Sequence, residues 1–198
     1  MTTHVPADAT ARLILDGDAI AKALSRIAHE IIERTDELAD LALIGIQSRG
    51  APLASRLRRL VEERSGVAPP VGARDITFHR DDVHVRDGGR LPDRQPVVRS
   101  TSISFPIEGM TVVLVDDVLF TGRTIRAAID ALLEFGRPAR VQLAVLVDRG
   151  HRELPIRPDY VGKNLPTGHE ERIQVELVEI DERDGVFLIG EREDGERV

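Results

Sequence analysis

The residues best suited to chemistry form one stretch, 112–124, which reads VVLVDDVLFTGRT. Two adjacent carboxylates, Asp116 and Asp117, follow an apolar run, and a short loop with a glycine between two threonines comes next. The N–H groups of such a loop, and of the helix that it opens, are well placed to bind phosphate. Carboxylates repel phosphate, so the aspartates should face hydroxyl groups or a cation. The stretch therefore predicts a site for a ribose 5-phosphate, with the ribose 2- and 3-hydroxyls on Asp116 and Asp117 and the phosphate on residues 121–124.

Two common phosphate-binding motifs are missing from the sequence. The Gly-Lys-Ser/Thr of a Walker loop does not occur, and neither does the G-x-G-x-x-G of a dinucleotide site. An isolated aspartate could simply cap a helix, and an isolated glycine could simply turn the chain. The ordered string of two carboxylates, a glycine and two hydroxyls favours a ligand site instead.

Arginines follow two other apolar runs. Ser48-Arg49-Gly50 comes after Leu41–Ile46, and Arg149 comes after 141–147. A guanidinium at such a turn can bind an anionic group through a planar pair of donors. The structural alternatives are a surface arginine at a turn for Arg49, and an ordinary turn made by Asp148, Arg149 and Gly150.

Strands and helices must position these three segments along one edge of a sheet. Leu41–Ile46, 111–115 and 141–147 are nearly continuous apolar runs, as is typical of parallel strands covered on both faces. Helices are predicted from the cap at Asp16 or Asp18 to about Thr35, over 51–64 and over 122–135. The alternation predicts an α/β fold with a mostly parallel sheet, whose strands bind ligands at their carboxyl ends.

The rest of the chain predicts peripheral parts of one domain, 1–198. Residues 12–15 and 75–79 read as extended segments. Residues 80–100 are rich in Asp, Gly, Pro and Arg and predict a flexible arm. A hairpin is predicted from 173–180 and 186–189 around Asp184-Gly185. The segment of about 148–190 is expected to form a small hood.

The composition narrows the classes of function. The 198 residues include no cysteine, which excludes disulfides and thiolate chemistry. The formal net charge of −7 argues against binding to nucleic acid, DNA included, by bulk charge. No apolar run approaches the about 18 residues of a membrane span, and the first ten residues lack the apolar core of a signal peptide. We therefore expect a cytoplasmic protein without a membrane partner.

The stretch 112–124 closely resembles the 5-phosphoribosyl-1-pyrophosphate (PRPP) motif of the type I phosphoribosyltransferases. The resemblance implies their fold: a central, mostly parallel sheet flanked by helices, with a flexible β-arm and a small hood. It also implies Mg²⁺ bound mainly through pyrophosphate, without dedicated protein ligands. The catalytic residues that it implies are Asp116, Asp117, Arg49 and Arg80. The implied substrate-binding residues are Ser48, Arg49, Arg99, Asp116, Asp117, Val118, Leu119, Phe120, Thr121, Gly122, Arg123, Thr124 and Arg149.

Phe120 bears on the identity of the base. Relatives that use purines typically carry an acidic residue immediately before the Thr-Gly of this loop, where this chain has Phe120. A phenyl ring cannot exchange a proton, so purine chemistry through that position is disfavoured. The resemblance then implies a pyrimidine: uracil and PRPP would give uridine 5-monophosphate (UMP) and pyrophosphate.

A longer resemblance covers nearly the whole chain. Residues 24–30, 75–77, 80–82, 147–157 and 162–167 are similar to the bifunctional pyrimidine operon attenuation regulators/uracil phosphoribosyltransferases. This implies binding to the messenger RNA leader of pyrimidine genes in the presence of UMP or UTP, and a homodimer or higher homo-oligomer. The implied RNA-binding residues are Ser25, His29, Arg34, Ser48, Arg157 and Lys163.

Two alternatives stay open from the sequence. One is a dedicated phosphoribosyltransferase without RNA regulation, since Lys22–Arg34 could be an ordinary exposed helix face and serine replaces a common threonine at Ser25 and Ser48. The other is a nucleotide-sensing regulator with little catalysis. A continuous positive surface outside the catalytic pocket would favour RNA binding over both.

Overall fold

The computed structural model describes residues 9–74 and 103–191. In these ranges the chain forms an α/β fold with a five-stranded sheet in the order β3-β2-β4-β5-β6. Its strands are β2 (Leu41–Ile46), β3 (Val71–Arg74), β4 (Thr111–Leu119), β5 (Arg140–Asp148) and β6 (Tyr160–Asn164). Every neighbouring pair in this sheet is parallel.

Two helices cover one face of this sheet. Helix α1 (Gly17–Arg34) begins at Asp16, whose side chain accepts a hydrogen bond from Ala19 N at 2.8 Å. This bond satisfies one of the N–H groups that a helix start leaves without a partner. Helix α2 (Gly50–Ser65) ends at Gly66, which has a φ of 74°. Their apolar sides pack with Leu43, Val113 and other residues of the sheet in one cluster.

Helix α3 (Arg123–Leu132) covers the opposite face. Ile125, Ala128 and Leu132 pack there against Ile44 and Leu114 in a second cluster. The apolar runs of β2 and β4 contribute alternate residues to the two clusters. This double coverage is the physical reason for their near-continuous apolar character.

The first strand and the C-terminal part of the described chain together form a second, three-stranded sheet in the order β1-β8-β7. Strand β1 (Ala9–Asp16) pairs antiparallel with β8 (Gly185–Glu191), and β8 pairs antiparallel with β7 (Arg172–Glu176). A short helix, α4 (Val178–Asp181), lies between β7 and β8. Because β1 leads directly into α1, this sheet is joined to the start of the main fold as well as to its end.

The structure confirms the α/β prediction and corrects several bounds. Strand β4 continues beyond 115 to Leu119, and α3 covers 123–132 where 122–135 was predicted. The predicted strand over 173–180 ends at Glu176, because α4 follows. Strands β3 and β6 and the pairing of β1 with β8 were not predicted. The predicted strand at 75–79 and the whole of the arm, 80–100, lie outside the described residues.

None of the described helices has the length and apolar character needed to cross a membrane.

Candidate active site

Three parallel strands end at the same edge of the main sheet, and each carries a predicted site segment. Ile46 at the end of β2 leads to Ser48 and Arg49, and Asp148 at the end of β5 leads to Arg149. Between them, β4 carries Asp116 and Asp117 within its last residues. This arrangement matches the general location of ligand sites in open α/β sheets.

The two carboxylates lie in different surroundings. Asp116 is 7% exposed, and its Oδ1 accepts a hydrogen bond from Asp117 N at 3.0 Å. Asp117 Oδ1 accepts from Val118 N at 2.8 Å. Burial raises the pKa of Asp117, while the bond from Val118 and the positive charge of Arg49 act in the opposite direction. A partly buried carboxylate near a guanidinium is suited to hold a hydroxyl group of a ligand.

The loop after β4 turns into α3 at Gly122, whose φ of 91° is in the left-handed region. The Thr121 hydroxyl accepts a hydrogen bond from Arg123 N at 3.3 Å, which closes a compact turn. The first N–H groups of a helix have no carbonyl one turn earlier to bind, so the start of α3 offers donors to an anion. This geometry suits a phosphate at residues 121–124.

The segment 149–156 forms hydrogen bonds with the loop that follows β4. Arg149 N donates to Leu119 O at 3.1 Å, and Glu153 N donates to Thr121 O at 3.0 Å. The Arg152 guanidinium donates to Phe120 O at 2.9 Å and to Asp148 Oδ2 at 2.5 Å. Arg123 pairs with Glu153 at 2.7 Å. The carbonyls of the loop are thus engaged by this segment.

Ser48-Arg49-Gly50 approaches β4 very closely. A Cβ added at Gly50 would lie 2.2 Å from Val115 O, so only glycine permits this distance between the backbones. Arg49 is partly buried and donates from Nη2 to Asp181 Oδ1 at 2.9 Å. Arg49 Nε is buried and has no hydrogen-bond partner among the described residues. Ser48, the first residue of this turn, is exposed.

Arg149 is only 7% exposed, and three of its contacts are directed at the C-terminal part of the chain. Nε donates to Thr167 Oγ1 at 3.0 Å, and Nη2 donates to Gly168 O at 3.2 Å and Glu171 O at 2.9 Å. Burial lowers the pKa of Arg149, opposed by the charge of Glu171. Two of its nitrogens therefore hold the 167–171 loop in place.

Arg149 contacts one end of a row of three aromatic rings. The Arg149 guanidinium stacks 4.0 Å from the centroid of the Phe120 ring. The His151 ring lies 6.0 Å from Phe120 and 4.2 Å from the ring of His169. His151 Nε2 also lies 2.6 Å from Thr167 O. Phe120 thus faces the C-terminal segment that was expected to receive a base.

The acidic groups at this edge could supply only some of the ligands of a Mg²⁺ ion, and the substrate and water would supply the others. Within residues 9–74 and 103–191, no group of three or more His, Cys, Asp or Glu could hold a metal ion. Asp116 and Asp117 supply the carboxylate oxygens that Mg²⁺ prefers, but each already accepts a backbone hydrogen bond. These residues fit an ion whose other ligands are substrate oxygens and water.

The predicted RNA-binding residues fall on two neighbouring elements and one distant turn. Ser25, His29 and Arg34 lie on α1, which packs beside β6, the strand that carries Lys163. Arg157 is exposed in the loop before β6, and Ser48 lies at the carboxyl edge of β2. The helix and its neighbouring strand therefore carry four of these residues, with Ser25 on the side of α2 and Arg34 on the side of β6, while Ser48 belongs to the catalytic edge.

Two arginines of α1 have structural partners on β6. Arg26 donates to Val161 O at 2.8 Å and to Gly162 O at 2.7 Å. Arg34 donates to Asp159 O at 3.2 Å and stacks on the Tyr160 ring at 5.4 Å. Their charges remain on the surface, but part of their hydrogen-bonding capacity is used within the fold.

The two other predicted RNA-binding residues of α1 are His29, which is exposed, and Ser25, which contacts α2. His29 is 63% exposed and lies 3.4 Å from Glu33. Ser25 accepts a hydrogen bond from Arg64 Nη2 of α2 at 2.7 Å. Arg64 therefore lies beside Ser25 on this surface. No spacing pattern points to Arg64, because the two residues lie on different helices.

Sequence reasoning also missed Arg152 and Asp181. Both contact predicted site segments, but only Arg152 lies in a stretch that had attracted notice, 147–157. Asp181 is 132 positions from Arg49, and no local pattern connects the two. Arg80 and Arg99, which were predicted as catalytic and substrate-binding residues, lie outside the described residues.

Comparison with solved structures agrees with this fold. A hypoxanthine phosphoribosyltransferase from Staphylococcus aureus superposes with a TM-score of 0.66 at 15% identity, covering 98% of this chain and 99% of the other. The hypoxanthine phosphoribosyltransferase of Trypanosoma cruzi gives 0.65 at 15% identity, covering 91% and 97%. At these identities the likeness concerns the fold alone.

Sequence comparison identifies the family. Residues 11–181 match the family model described as the phosphoribosyl transferase domain. The chain is 59% identical over 177 residues to the "Bifunctional protein PyrR" of Roseiflexus sp. (strain RS-1), covering 89% of this chain and 93% of that protein. It is 52% identical to the protein of the same name from Halalkalibacterium halodurans, covering 89% and 96%. The chain therefore belongs to the phosphoribosyltransferase family and, within it, to the family of bifunctional PyrR proteins.

Proposed function

We propose that this protein transfers the phosphoribosyl group of PRPP to uracil, forming UMP and pyrophosphate, and also binds the messenger RNA leader of pyrimidine genes when a uridine nucleotide occupies the same pocket. The observation that carries the enzymatic part is the meeting of Asp116, Asp117, Arg49 and the 120–124 loop at one sheet edge. The names of the PyrR relatives, which describe two functions, support the combination.

Each part of PRPP has a matching group at this edge. The 5-phosphate is assigned to the loop at Thr121–Gly122 and the start of α3, and the ribose hydroxyls to Asp116 and Asp117. Arg49 lies on the neighbouring strand end, where its charge would balance the leaving pyrophosphate. The three groups bind different parts of one molecule, so their main contribution is to hold C1 of the ribose in a fixed position.

The chemistry needs no nucleophile from the protein. Nitrogen N1 of uracil replaces pyrophosphate at C1, and the proton of N1 is lost. Positive charge develops on the ribose as the C1–oxygen bond breaks, and negative charge accumulates on the departing pyrophosphate. Arg49 and carboxylates that are fixed in advance stabilise this separation better than water does, because they need not reorient as the charges develop.

Mg²⁺ is proposed to enter with PRPP. The ion would be held mainly by pyrophosphate and would neutralise part of its charge, with Asp116 and Asp117 as the residues of this edge that could contribute oxygens. The aspartates are also the residues that orient the ribose, so they serve both groups.

Uracil is proposed as the base because Phe120 stands where purine-using relatives typically have an acidic residue. The phenyl ring faces Arg149 and, through it, the 167–171 loop. Backbone groups of that loop are the proposed partners of the pyrimidine edge. UTP is proposed to enter the same pocket as UMP.

The RNA surface is proposed to lie on α1 and its neighbour β6. Ser25, His29, Arg34, Arg157 and Lys163 are the proposed contacts, and Arg64 extends the surface onto α2. Ser48 lies at the catalytic edge and is the proposed contact nearest the nucleotide. If RNA and UMP bind the same protein state, each must tighten the other's binding by an equal factor. A homodimer or larger homo-oligomer stays a prediction.

The test is the steady-state formation of UMP from uracil and PRPP with Mg²⁺, with hypoxanthine and guanine run in parallel. We expect turnover with uracil alone. Binding of a pyrimidine-gene leader RNA is then measured with and without UMP, and we expect tighter binding with UMP. Turnover with hypoxanthine or guanine would contradict the assignment of the base. PRPP binding without turnover of any base would favour a nucleotide-sensing regulator.

A further inference from the structure

The hydrogen bond between Arg49 and Asp181 joins two distant parts of the chain. Arg49 follows β2 at the catalytic edge, and Asp181 is the last residue of α4 in the C-terminal part. Both carboxylate oxygens of Asp181 accept from the same nitrogen, Arg49 Nη2, at 2.9 and 3.2 Å. The two side chains are about one-fifth exposed, at 22% and 19%. An ion pair with this degree of burial is screened less than a surface pair.

Asp181 is itself held firmly. Its Oδ2 accepts a hydrogen bond from Leu177 N at 3.0 Å, and its backbone N donates to Leu177 O at 2.7 Å. The Arg56 guanidinium on α2 binds Glu179 and Asp184, which flank Asp181. Since α2 begins at Gly50, the carboxylate that holds Arg49 is anchored to the helix that follows Arg49 directly.

The contact uses one nitrogen of Arg49 and leaves its buried Nε without a hydrogen-bond partner among the described residues. A buried guanidinium nitrogen without a partner is costly, so the arrangement is explained if a ligand supplies the missing acceptor. Arg49 also acts electrostatically on Asp117, which belongs to the PRPP site. Arg49 is therefore held by Asp181 near the position where PRPP would bind.

We propose that Asp181 is a positioning residue for phosphoribosyl transfer, which fixes the Arg49 guanidinium in advance so that its remaining donors receive the pyrophosphate group of PRPP. This inference rests on the proposed function. An arginine side chain has many rotamers, and ordering it before the ligand arrives removes that entropy cost from binding. The catalytic contact belongs to Arg49, and Asp181 acts through it.

The same C-terminal segment also contacts the expected base side of the site. Arg149 holds Gly168 O and Glu171 O, and β7 connects this loop to Leu177 and α4. One continuous segment, 167–181, therefore touches the arginine at each side of the pocket. Asp181 consequently positions Arg49 relative to the base side as well as to β4.

The experiment compares Asp181→Asn with Glu179→Gln. The first keeps the size of the side chain and its ability to accept from Leu177 N, but it removes the charge that holds Arg49. The second removes a carboxylate from the same four-residue helix, one that contacts Arg56 and not Arg49. Calorimetry on the full chain measures the affinity for PRPP with Mg²⁺, for pyrophosphate with Mg²⁺ and for UMP. Steady-state kinetics separates the KM for PRPP from kcat.

For Asp181→Asn we expect binding of PRPP and pyrophosphate to weaken by about tenfold, the loss expected for a weakened charge-assisted hydrogen bond. UMP has no pyrophosphate group, so its affinity should stay within about twofold. Glu179→Gln should match the wild type for all three ligands, and Asp181→Glu should restore part of the loss.

Three results would overturn the inference. One is wild-type affinity for PRPP and pyrophosphate in Asp181→Asn. Another is an equal loss of UMP affinity in that variant. The third is the same loss in Glu179→Gln, which would indicate general loosening of α4. Failure of the wild-type protein to bind PRPP would instead contradict the proposed function, so the two failures are distinguishable.

Discussion

The guanidinium of Arg149 stacks on Phe120 at 4.0 Å from the ring centroid while its nitrogens bind Thr167, Gly168 and Glu171. One buried side chain thus joins the loop after β4 to the loop expected to receive the base.

Replacement of Arg149 tests whether this connection serves base binding. In Arg149→Lys an ammonium replaces the planar fork, so it cannot satisfy the same three acceptors and stack on Phe120 together. We expect the KM for uracil to rise by about tenfold or more, with a smaller change in the KM for PRPP. Steady-state kinetics with each substrate varied in turn checks this. Arg126→Lys, which changes an exposed arginine of α3 paired with Asp130, is the matched control. An equal rise in both KM values would contradict a role on the base side.

Asp117→Asn should lower the catalytic activity without lowering the stability of the fold. We expect kcat/KM to fall by about a hundredfold or more, since a charge aimed at the reacting ribose is lost. Burial raises the pKa of this carboxyl, so the folded state binds its proton more tightly than the unfolded chain. The ionised carboxylate therefore reduces stability progressively as the pH rises above the unfolded value.

The asparagine variant removes that cost, so its Tm at pH 7 should equal or exceed that of the wild type. Activity assays and thermal unfolding on the same preparations check both parts. A lower Tm accompanied by lost activity would indicate that Asp117 is a structural residue, and wild-type turnover would exclude it from the site.

The Arg56 cluster predicts loss of stability in acid. Hydrogen bonds from Arg56 hold the pKa values of Glu179 and Asp184 below their usual range. Depressed carboxylate pKa values contribute stability that is present above the unfolded values, near pH 4, and lost as the pH falls through the folded ones. We expect Tm to decrease more steeply below about pH 4 in the wild type than in Arg56→Gln.

Thermal unfolding between pH 3 and 7 measures this difference. Arg58→Gln serves as the control, because Arg58 is a partly exposed arginine of the same helix with a 3.3 Å contact to Glu62. The same pH dependence in the wild type and Arg56→Gln would show that the cluster contributes nothing to acid sensitivity.

Two residues of α1 should respond differently to replacement by alanine. His29 is exposed, so His29→Ala should weaken leader-RNA binding several-fold while leaving Tm and turnover unchanged. Arg34 also binds Asp159 O and stacks on Tyr160, so Arg34→Ala should lower Tm as well as RNA affinity. Filter binding, thermal unfolding and the uracil assay on each variant check this.

Arg126→Ala is the control for the RNA measurements. Arg126 is exposed on α3, on the other face of the main sheet from α1. Its loss should leave RNA affinity unchanged. An equal effect of Arg126→Ala and His29→Ala would mean that the RNA binds through non-specific electrostatic attraction and not at a site on α1.

The sequence predicted the parts of the fold that repeat a simple pattern. The apolar runs of β2 and β4 and the cap at Asp16 are local signals, and the structure confirms the elements that they indicate. Strand β6 was not predicted because Gly162, Lys163 and Asn164 have little strand propensity. Its position is fixed by pairing with β5, which is a tertiary effect.

In the candidate site, too, the residues that form a local pattern were predicted and those that meet only through tertiary packing were not. Asp116, Asp117 and the 121–124 loop are contiguous in the sequence, so their types and order were sufficient to predict them. Arg49 was predicted from its place after a strand, but Asp181, which holds it, has no local signal. Contacts between residues on separate elements depend on how these elements pack, and a single sequence does not reveal that.

The pairing of Arg26 with Val161 O and Gly162 O has a consequence for the solubility of the fold. Strand β6 is at the end of the main sheet in the described part of the chain, and an open sheet edge can recruit a strand from another molecule. The guanidinium that donates to these two carbonyls places a positive charge beside this edge, and the cost of burying that charge opposes the approach of such a strand. Arg26 thus protects the sheet against edge-to-edge aggregation.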